Sequence, residues 1–231
     1  MGRAGGDLKR LAAEKAARFL GGVRVLGLGS GSTAAKFVEV VGEMLRAGVL
    51  TDLVAVATSR ETAELARAQG ITLSDLSAHP AVDVTVDGAD EVSRELDLIK
   101  GLGGALTREK IVAAASRELI IVVDDSKLVG RLGEKAPVPV ELLEFGWKTV
   151  VPRLQALGAE PSLRMDGKKP FVTDEGNLIV DCVFPSGIAD PESISRAIDC
   201  LPGVVAHGLF LGMADRVIVA GAGGVRILER S

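Results

Sequence analysis

The sequence predicts an α/β fold: a parallel β-sheet covered by helices on both faces, with a smaller α+β domain inserted before the last sheet strand. Three observations carry this. Short, wholly apolar segments alternate with helical periods through residue 123, as strands buried on both faces do. Glycine is abundant, 28 of 231 residues, and it clusters where apolar segments end. After Lys127 the order changes to β-α-β-β-α-β, the ferredoxin-like split arrangement, and a further apolar segment at 216–220 reads as a return to the first, Rossmann-like sheet.

The elements follow in order. Residues 7–20 form an amphipathic helix with Leu8, Leu11, Ala12 and Phe19 on one stripe, Asp7 as N-cap and Gly21-Gly22 as the stop. Residues 23–28 (VRVLGL) form a buried strand that runs into a glycine-serine loop and a helix over 34–47. A strand at 53–57, capped by Thr58-Ser59, leads to a helix ending at Gly70, then a strand at 82–86. A helix spans 107–116 and a very apolar strand 119–123. Gly130, Gly133, Pro137 and Pro139 mark a boundary. Beyond it lie a strand at 138–143, a helix at 147–157, strands at 162–165 and 177–184, a helix at 191–201 opened by Asp190 and Pro191, and a strand at 203–211. The expected domains are therefore 1–131 plus 212–231, and 132–211, with Trp147 anchoring the core of the smaller one.

Composition narrows the function. The chain has six Phe, one Trp and no Tyr, so a catalytic tyrosine is impossible and aromatic base-stacking platforms are disfavoured. The 27 basic and 31 acidic residues give a net charge of −4, with no basic tail for nucleic acid or lipid. No segment reaches the ~18 apolar residues of a membrane span, and Lys9, Arg10, Glu14, Lys15 and Arg18 interrupt any signal-like stretch. Two cysteines, Cys182 and Cys200, read as free thiols in a reducing compartment, although one bridge is compatible with their number. Two histidines, His79 and His207, do not make a zinc site with so few thiols. A cytoplasmic, soluble protein without nucleic-acid or membrane partners is the expectation.

Three loops carry the chemistry. The segment Gly29-Ser30-Gly31-Ser32-Thr33-Ala34 places glycines and hydroxyls between a strand and a helix N-terminus, which suits a phosphate. It matches G-x-G-x-x-A, but the second strand ends in Ala57-Thr58-Ser59-Arg60 and lacks the acid that would hold a dinucleotide ribose. Capping accounts for one of the hydroxyls of Ser30, Ser32 and Thr33, not for all three. Asp87-Gly88-Ala89-Asp90 follows a buried strand, at the end of the sheet where α/β proteins bind ligands. An Asp-Gly turn with a helix cap explains Asp90 equally well. Lys100-Gly101-Leu102-Gly103-Gly104 places a cation before free backbone amides. Glu109 then reads either as an acid complementing the helix dipole or as a general base. Lys127 ends the fourth strand, either as a solvated charge or as a ligand contact.

In that order, these four motifs resemble the type A ribose-5-phosphate isomerase family over nearly the whole chain. The resemblance implies interconversion of ribose 5-phosphate and ribulose 5-phosphate through an enediolate, without cofactor or metal, in the non-oxidative pentose phosphate pathway. It also implies a homo-oligomer, with a homodimer expected. Ser30, Gly31, Ser32 and Thr33 match the substrate loop. Asp87, Gly88, Ala89 and Asp90 match the second binding motif, and Lys100, Gly101, Leu102 and Gly103 the third. Glu109 matches the proton acceptor, Lys127 a further substrate contact, and Lys9 a lysine that reaches the phosphate. Ser30 stands where Thr is common, and Leu102 where a third glycine is common.

The resemblance assigns proton transfer to Glu109 and charge balance to Lys100, Asp87 and Asp90, with Asp87 assisting ring opening. Partial burial is expected to raise the Glu109 pKa. A sugar-phosphate sensor would need the phosphate clamp but no base. An amino-sugar-phosphate deaminase would favour an active-site histidine, and a coenzyme A transferase is a further related class. A nicotinamide oxidoreductase would need the missing acid.

Overall fold

A computed structural model describes the backbone of residues 2–230 and the side chains of residues 8–230. Two compact units divide the chain. The first comprises Met1–Ala89, Ile111–Lys127 and Met213–Ser231; the second comprises Asp90–Lys110 and Leu128–Gly212.

The first unit opens with α1 (Gly2–Ala17), β1 (Val25–Leu28), α2 (Gly31–Arg46), β2 (Val54–Ala57), α3 (Arg60–Ala68) and β3 (Val82–Asp87). The chain enters the second unit with β4 (Glu91–Val92), β5 (Leu98–Ile99) and the start of α4 (Leu106–Ala114), then returns with β6 (Ser116–Asp124) and a 3-10 turn, Asp125–Lys127. It leaves again for β7 (Val138–Leu142), α5 (Trp147–Ala156), β8 (Glu160–Leu163), β9 (Met165–Asp166), β10 (Lys169–Pro170), β11 (Leu178–Val183), α6 (Pro191–Asp199), β12 (Val204–His207) and β13 (Leu209–Phe210). The last strands, β14 (Arg216–Gly221) and β15 (Gly224–Glu229), belong to the first unit.

The first unit holds a six-stranded sheet in the order β15-β14-β6-β3-β1-β2, parallel except for the β14–β15 hairpin. The segment at 216–220 does return to this sheet, in register with β6. The sequence reading places no strand after it; β15 is there because Val225 and Ile227 pack against the core across a glycine turn. That core is aliphatic, built from Leu26, Leu28, Val84, Val86, Ile120, Val122 and Ile218 with Phe37 and Val41 of α2. Helix α1 begins at Gly2, so Asp7 lies inside it and does not cap it. Its inward face is Ala12, Ala13, Ala16 and Ala17, whereas Leu11 is exposed; small side chains let the helix seat closely against its neighbours.

In the second unit β12-β7-β11-β8 form an antiparallel sheet with the topology expected of the split arrangement. Val138, Val140, Leu142 and Val180 share a core with Val150 and Leu154 of α5 and Ile198 of α6. Trp147 packs at the margin of this core, half-buried, and does not anchor its centre. Ile179 and Ala206, on neighbouring strands, are covered by Leu106 and Phe171. The expected continuous strand at 203–211 is broken. At Gly208 an added Cβ would lie 2.3 Å from the Lys100 carbonyl oxygen, and the chain leaves β7 to pair Leu209–Phe210 with Leu98–Ile99.

That pairing accounts for residues 90–110 lying in the second unit, whereas the expected boundaries lie at 131/132 and 211/212. The buried carboxylate of Glu91 ties the segment further by accepting the backbone N–H groups of Gly133, Lys135 and Ala136 at 2.5–2.7 Å. Cys182 is buried and Cys200 exposed, both as free thiols. Among the described residues no helix is long and apolar enough to cross a membrane.

Candidate active site

The residues expected to bind the phosphate are built in the first unit. Strand β1 ends at Leu28, and the chain turns through Gly29 and Ser30 into α2. Gly29 is required there: an added Cβ would lie 2.1 Å from Asp87 Oδ1 and 2.5 Å from the Asp87 Cα. Ser30 occupies the N-cap position, but its hydroxyl makes no cap hydrogen bond. It lies 2.7 Å from Thr58 Oγ1, and Thr62 Oγ1 donates to the Gly29 carbonyl at 3.0 Å. Gly31 and Ser32 are exposed and Thr33 half-buried, so the first amides of α2 offer the positive end of a helix dipole to solvent. Lys9 Nζ donates to Ser32 Oγ at 2.7 Å, which places the expected phosphate-reaching lysine beside this loop.

Asp87, at the end of β3, is buried. Its Oδ1 accepts the backbone N–H of Ser30 at 3.0 Å and of Gly88 at 2.7 Å. The carboxylate therefore fixes the glycine-serine loop as well as presenting charge at the strand end. Lys127, half-buried, closes the 3-10 turn after β6, where Asp124 accepts the N–H of Ser126 at 3.0 Å. Of the hydroxyl partners of Ser30, Thr58 was read from the sequence only as part of a cap, a place that Ser59 takes in the structure, and Thr62 was not singled out. Their signal was a threonine at the carboxyl end of β2 and another one helical turn on.

The residues expected to carry proton transfer are built in the second unit. Lys100 is 3% and Glu109 5% exposed, and Lys100 Nζ lies 3.3 Å from Glu109 Oε2. Glu109 does lie in the first turn of α4, and it is a buried carboxylate whose charge a buried ammonium compensates. Lys100 is held from both ends. Its N–H donates to the Gly208 carbonyl at 2.9 Å, and its ammonium lies 5.5 Å from the centre of the buried Phe210 ring. Lys110 approaches the same ring at 4.9 Å and donates to the Leu209 carbonyl at 3.0 Å. Burial pushes its pKa down to about 8. Phe210 was not legible as part of the site, because nothing local distinguishes it from a core phenylalanine.

Asp90 donates its N–H to the Ile99 carbonyl at 2.8 Å, and its Oδ2 accepts the Leu102 N–H at 3.0 Å. Asp90 is followed by β4 and not by a helix, so it caps none; its side chain holds the Lys-Gly-Leu-Gly loop. Leu102 and Gly103 are exposed. The structure therefore gathers Lys9, Ser30, Gly31, Ser32, Thr33 and Asp87 in one unit, and Asp90, Lys100, Gly101, Leu102, Gly103 and Glu109 in the other. Gly88 and Ala89 join Asp87 to Asp90 along the chain. Among the described residues no group of three or more His, Cys, Asp or Glu side chains could hold a metal ion.

The family model for ribose 5-phosphate isomerase A (phosphoriboisomerase A) matches residues 54–224. The chain is 51% identical over 222 residues to ribose-5-phosphate isomerase A of Roseiflexus castenholzii, covering 96% of this chain and 94% of that protein. It is 49% identical over 230 residues to a probable ribose-5-phosphate isomerase of Arabidopsis thaliana, covering 97% and 87%. A D-ribose-5-phosphate isomerase solved in complex with phospho-erythronic acid superposes with a TM-score of 0.94 at 42% identity, covering 97% of this chain and 98% of that one. With these relatives and the matching family model, the chain belongs to the ribose 5-phosphate isomerase A family.

Proposed function

We propose that this chain interconverts ribose 5-phosphate and ribulose 5-phosphate through an enediolate, without a cofactor. The observation that carries the reading is the buried Lys100–Glu109 pair at 3.3 Å. An aldose–ketose isomerisation needs one group that takes a proton from C2 and returns it to C1, and a cation near the oxyanion that forms between the two steps. Glu109 takes the C2 proton and delivers it to C1 while the O2 hydroxyl proton passes to O1, so that the product has the same atoms as the substrate. Lys100 and the loop amides offset the enediolate charge, and Asp90 orients that loop. Asp87 assists opening of the furanose ring. Ser32, Thr33, Lys9 and Lys127 bind the phosphate, whose binding energy orients the reacting carbons. The phosphorylated acid bound by the solved relative has the charge and oxygenation such a site would recognise. The same reading makes the enzyme a cytoplasmic homodimer of the non-oxidative pentose phosphate pathway.

A coupled assay for ribulose 5-phosphate, run with a chelator and without nicotinamide, tests the activity and the absence of a metal requirement together. In that assay Glu109→Gln lowers kcat by about 10²-fold or more while substrate binding persists. Near-normal turnover would remove Glu109 from the mechanism.

A further inference from the structure

The Lys-Gly-Leu-Gly loop is a turn over residues 101–104. The Gly104 N–H donates to the Gly101 carbonyl at 2.9 Å. Gly103 is not one of the positive-φ glycines, so the turn lacks the positive φ that the third residue of a type II turn takes. Glycine at that position equally permits the type II turn, whose third residue has positive φ and whose middle peptide is flipped. The flip exchanges the direction of the Leu102 carbonyl and the Gly103 N–H. The turn by itself therefore does not select its own peptide orientation.

A side chain distant in sequence makes that selection. Arg164 lies between β8 and β9, and its Nη1 donates to the carbonyls of Gly101 at 3.0 Å and Leu102 at 2.9 Å. Its Nε and Nη2 donate to Asp181 at 2.9 and 2.5 Å. The Arg164 Cζ lies over the Phe171 ring, 5.7 Å from its centre, and the side chain is only 12% exposed. Phe171 also abuts the turn: a Cβ added at Gly104 would lie 2.4 Å from Phe171 Cζ. A bidentate, stacked arginine is rotationally fixed in a way a lysine is not.

A trans peptide points its N–H opposite to its carbonyl, and the chain has no cis peptide. The 101–102 peptide shows the consequence directly, with its carbonyl on Arg164 and its N–H on Asp90. The 102–103 peptide has its carbonyl on the same Nη1 atom, so the Gly103 N–H points to the opposite side as well.

We propose that Arg164, fixed by Asp181 and Phe171, is a positioning residue that holds the 101–104 turn with the Gly103 N–H rather than the Leu102 carbonyl facing the oxygens of the reacting sugar. The assignment rests on the isomerase reading above for what the loop faces. In the flipped turn the Leu102 carbonyl would meet an enediolate, placing a negative dipole end against a developing negative charge.

The test has two arms on Arg164→Ala and Asp181→Asn. The first is amide hydrogen exchange of Leu102 and Gly104, whose N–H groups are bonded to Asp90 and to the Gly101 carbonyl, in the unliganded chain. Exchange faster by at least tenfold in Arg164→Ala, and by a smaller factor in Asp181→Asn, is expected. Unchanged exchange in both folded variants overturns the clamp. The second arm is kinetic: Arg164→Ala lowers kcat at least tenfold with KM within threefold, and millimolar methylguanidinium restores part of the loss. A variant that unfolds at the unaltered temperature but keeps kcat within threefold, or one that methylguanidinium leaves unchanged, overturns the positioning role. If the unaltered chain has no isomerase activity the function proposed above fails, and the exchange arm still decides the clamp.

Discussion

Replacing Lys100 by Met separates the packing of this side chain from its charge. Met keeps most of the apolar stem and leaves Glu109 buried without its ammonium partner. At 3.3 Å and an effective dielectric of about 20, the lost attraction is about 5 kcal/mol. Removing one partner of a buried pair costs about 3–5 kcal/mol in practice. For a chain of this size that corresponds to a fall in Tm of roughly 6–20 °C. Urea unfolding followed by fluorescence is the assay, because the only tryptophan, Trp147, lies in the unit that holds the pair. The double variant Lys100→Met/Glu109→Gln removes the uncompensated charge and should recover at least half of the loss. Lowering the pH should also narrow the gap between Lys100→Met and the unaltered chain, because a buried carboxylate without its cation takes up a proton more readily. A double variant no more stable than Lys100→Met, with a gap indifferent to pH, would refute the argument that the charge of Glu109 depends on Lys100.

Three further outcomes follow from the geometry. His207 is buried, accepts the Leu209 N–H at Nδ1 and lies 3.2 Å from Ser195 Oγ and Asp199 Oδ1 through Nε2. Burial, helped by the charge of Lys110 and opposed by Asp199, lowers its pKa from 6.5 to about 4. Since the unfolded state binds the proton first, stability should fall as pH drops from about 6.5 to about 4, by on the order of 3 kcal/mol from this group. His207→Gln should flatten that limb in urea titrations at several pH values, and equal slopes for both chains would exclude the assignment. Gly27→Ala places a Cβ 1.8 Å from Thr85 Oγ1, a hydroxyl already held 2.6 Å from Ser116 Oγ. It should destabilise by about 3 kcal/mol, and calorimetry showing an unchanged Tm would contradict this. Lys127→Ala should raise KM with little change in kcat; an unchanged KM would make Lys127 a surface charge.

The parallel sheet was legible because its strands are short, apolar on both faces and followed by glycine loops, all of which are local properties. The same holds for the glycine-serine loop, whose glycines and hydroxyls fall within six consecutive residues, and for the split β-α-β-β-α-β order. Strand β15 was less legible: its pattern of half-buried and exposed side chains is weak and only pairing with β14 gives it meaning. Of the stripe expected for the first helix, Leu8, Ala12 and Phe19 pack on the core and Leu11 does not; the rest of the inward face of α1 is Ala13, Ala16 and Ala17, which a hydrophobicity pattern ranks below leucine.

Residue types and order along the chain identified nearly every side chain that carries the proposed chemistry, because each loop places its acid, lysine or hydroxyl within a few residues of its glycines. They did not say what each one touches. The pairing of Lys100 with Glu109 depends on where α4 starts relative to β5. The holding of Lys100 depends on Gly208 and Phe210, about a hundred residues away. The orientation of the 101–104 turn depends on Arg164 and Asp181, from the strands of another sheet. A single glycine-rich turn has two peptide orientations of similar energy, and only a donor brought in by tertiary packing separates them.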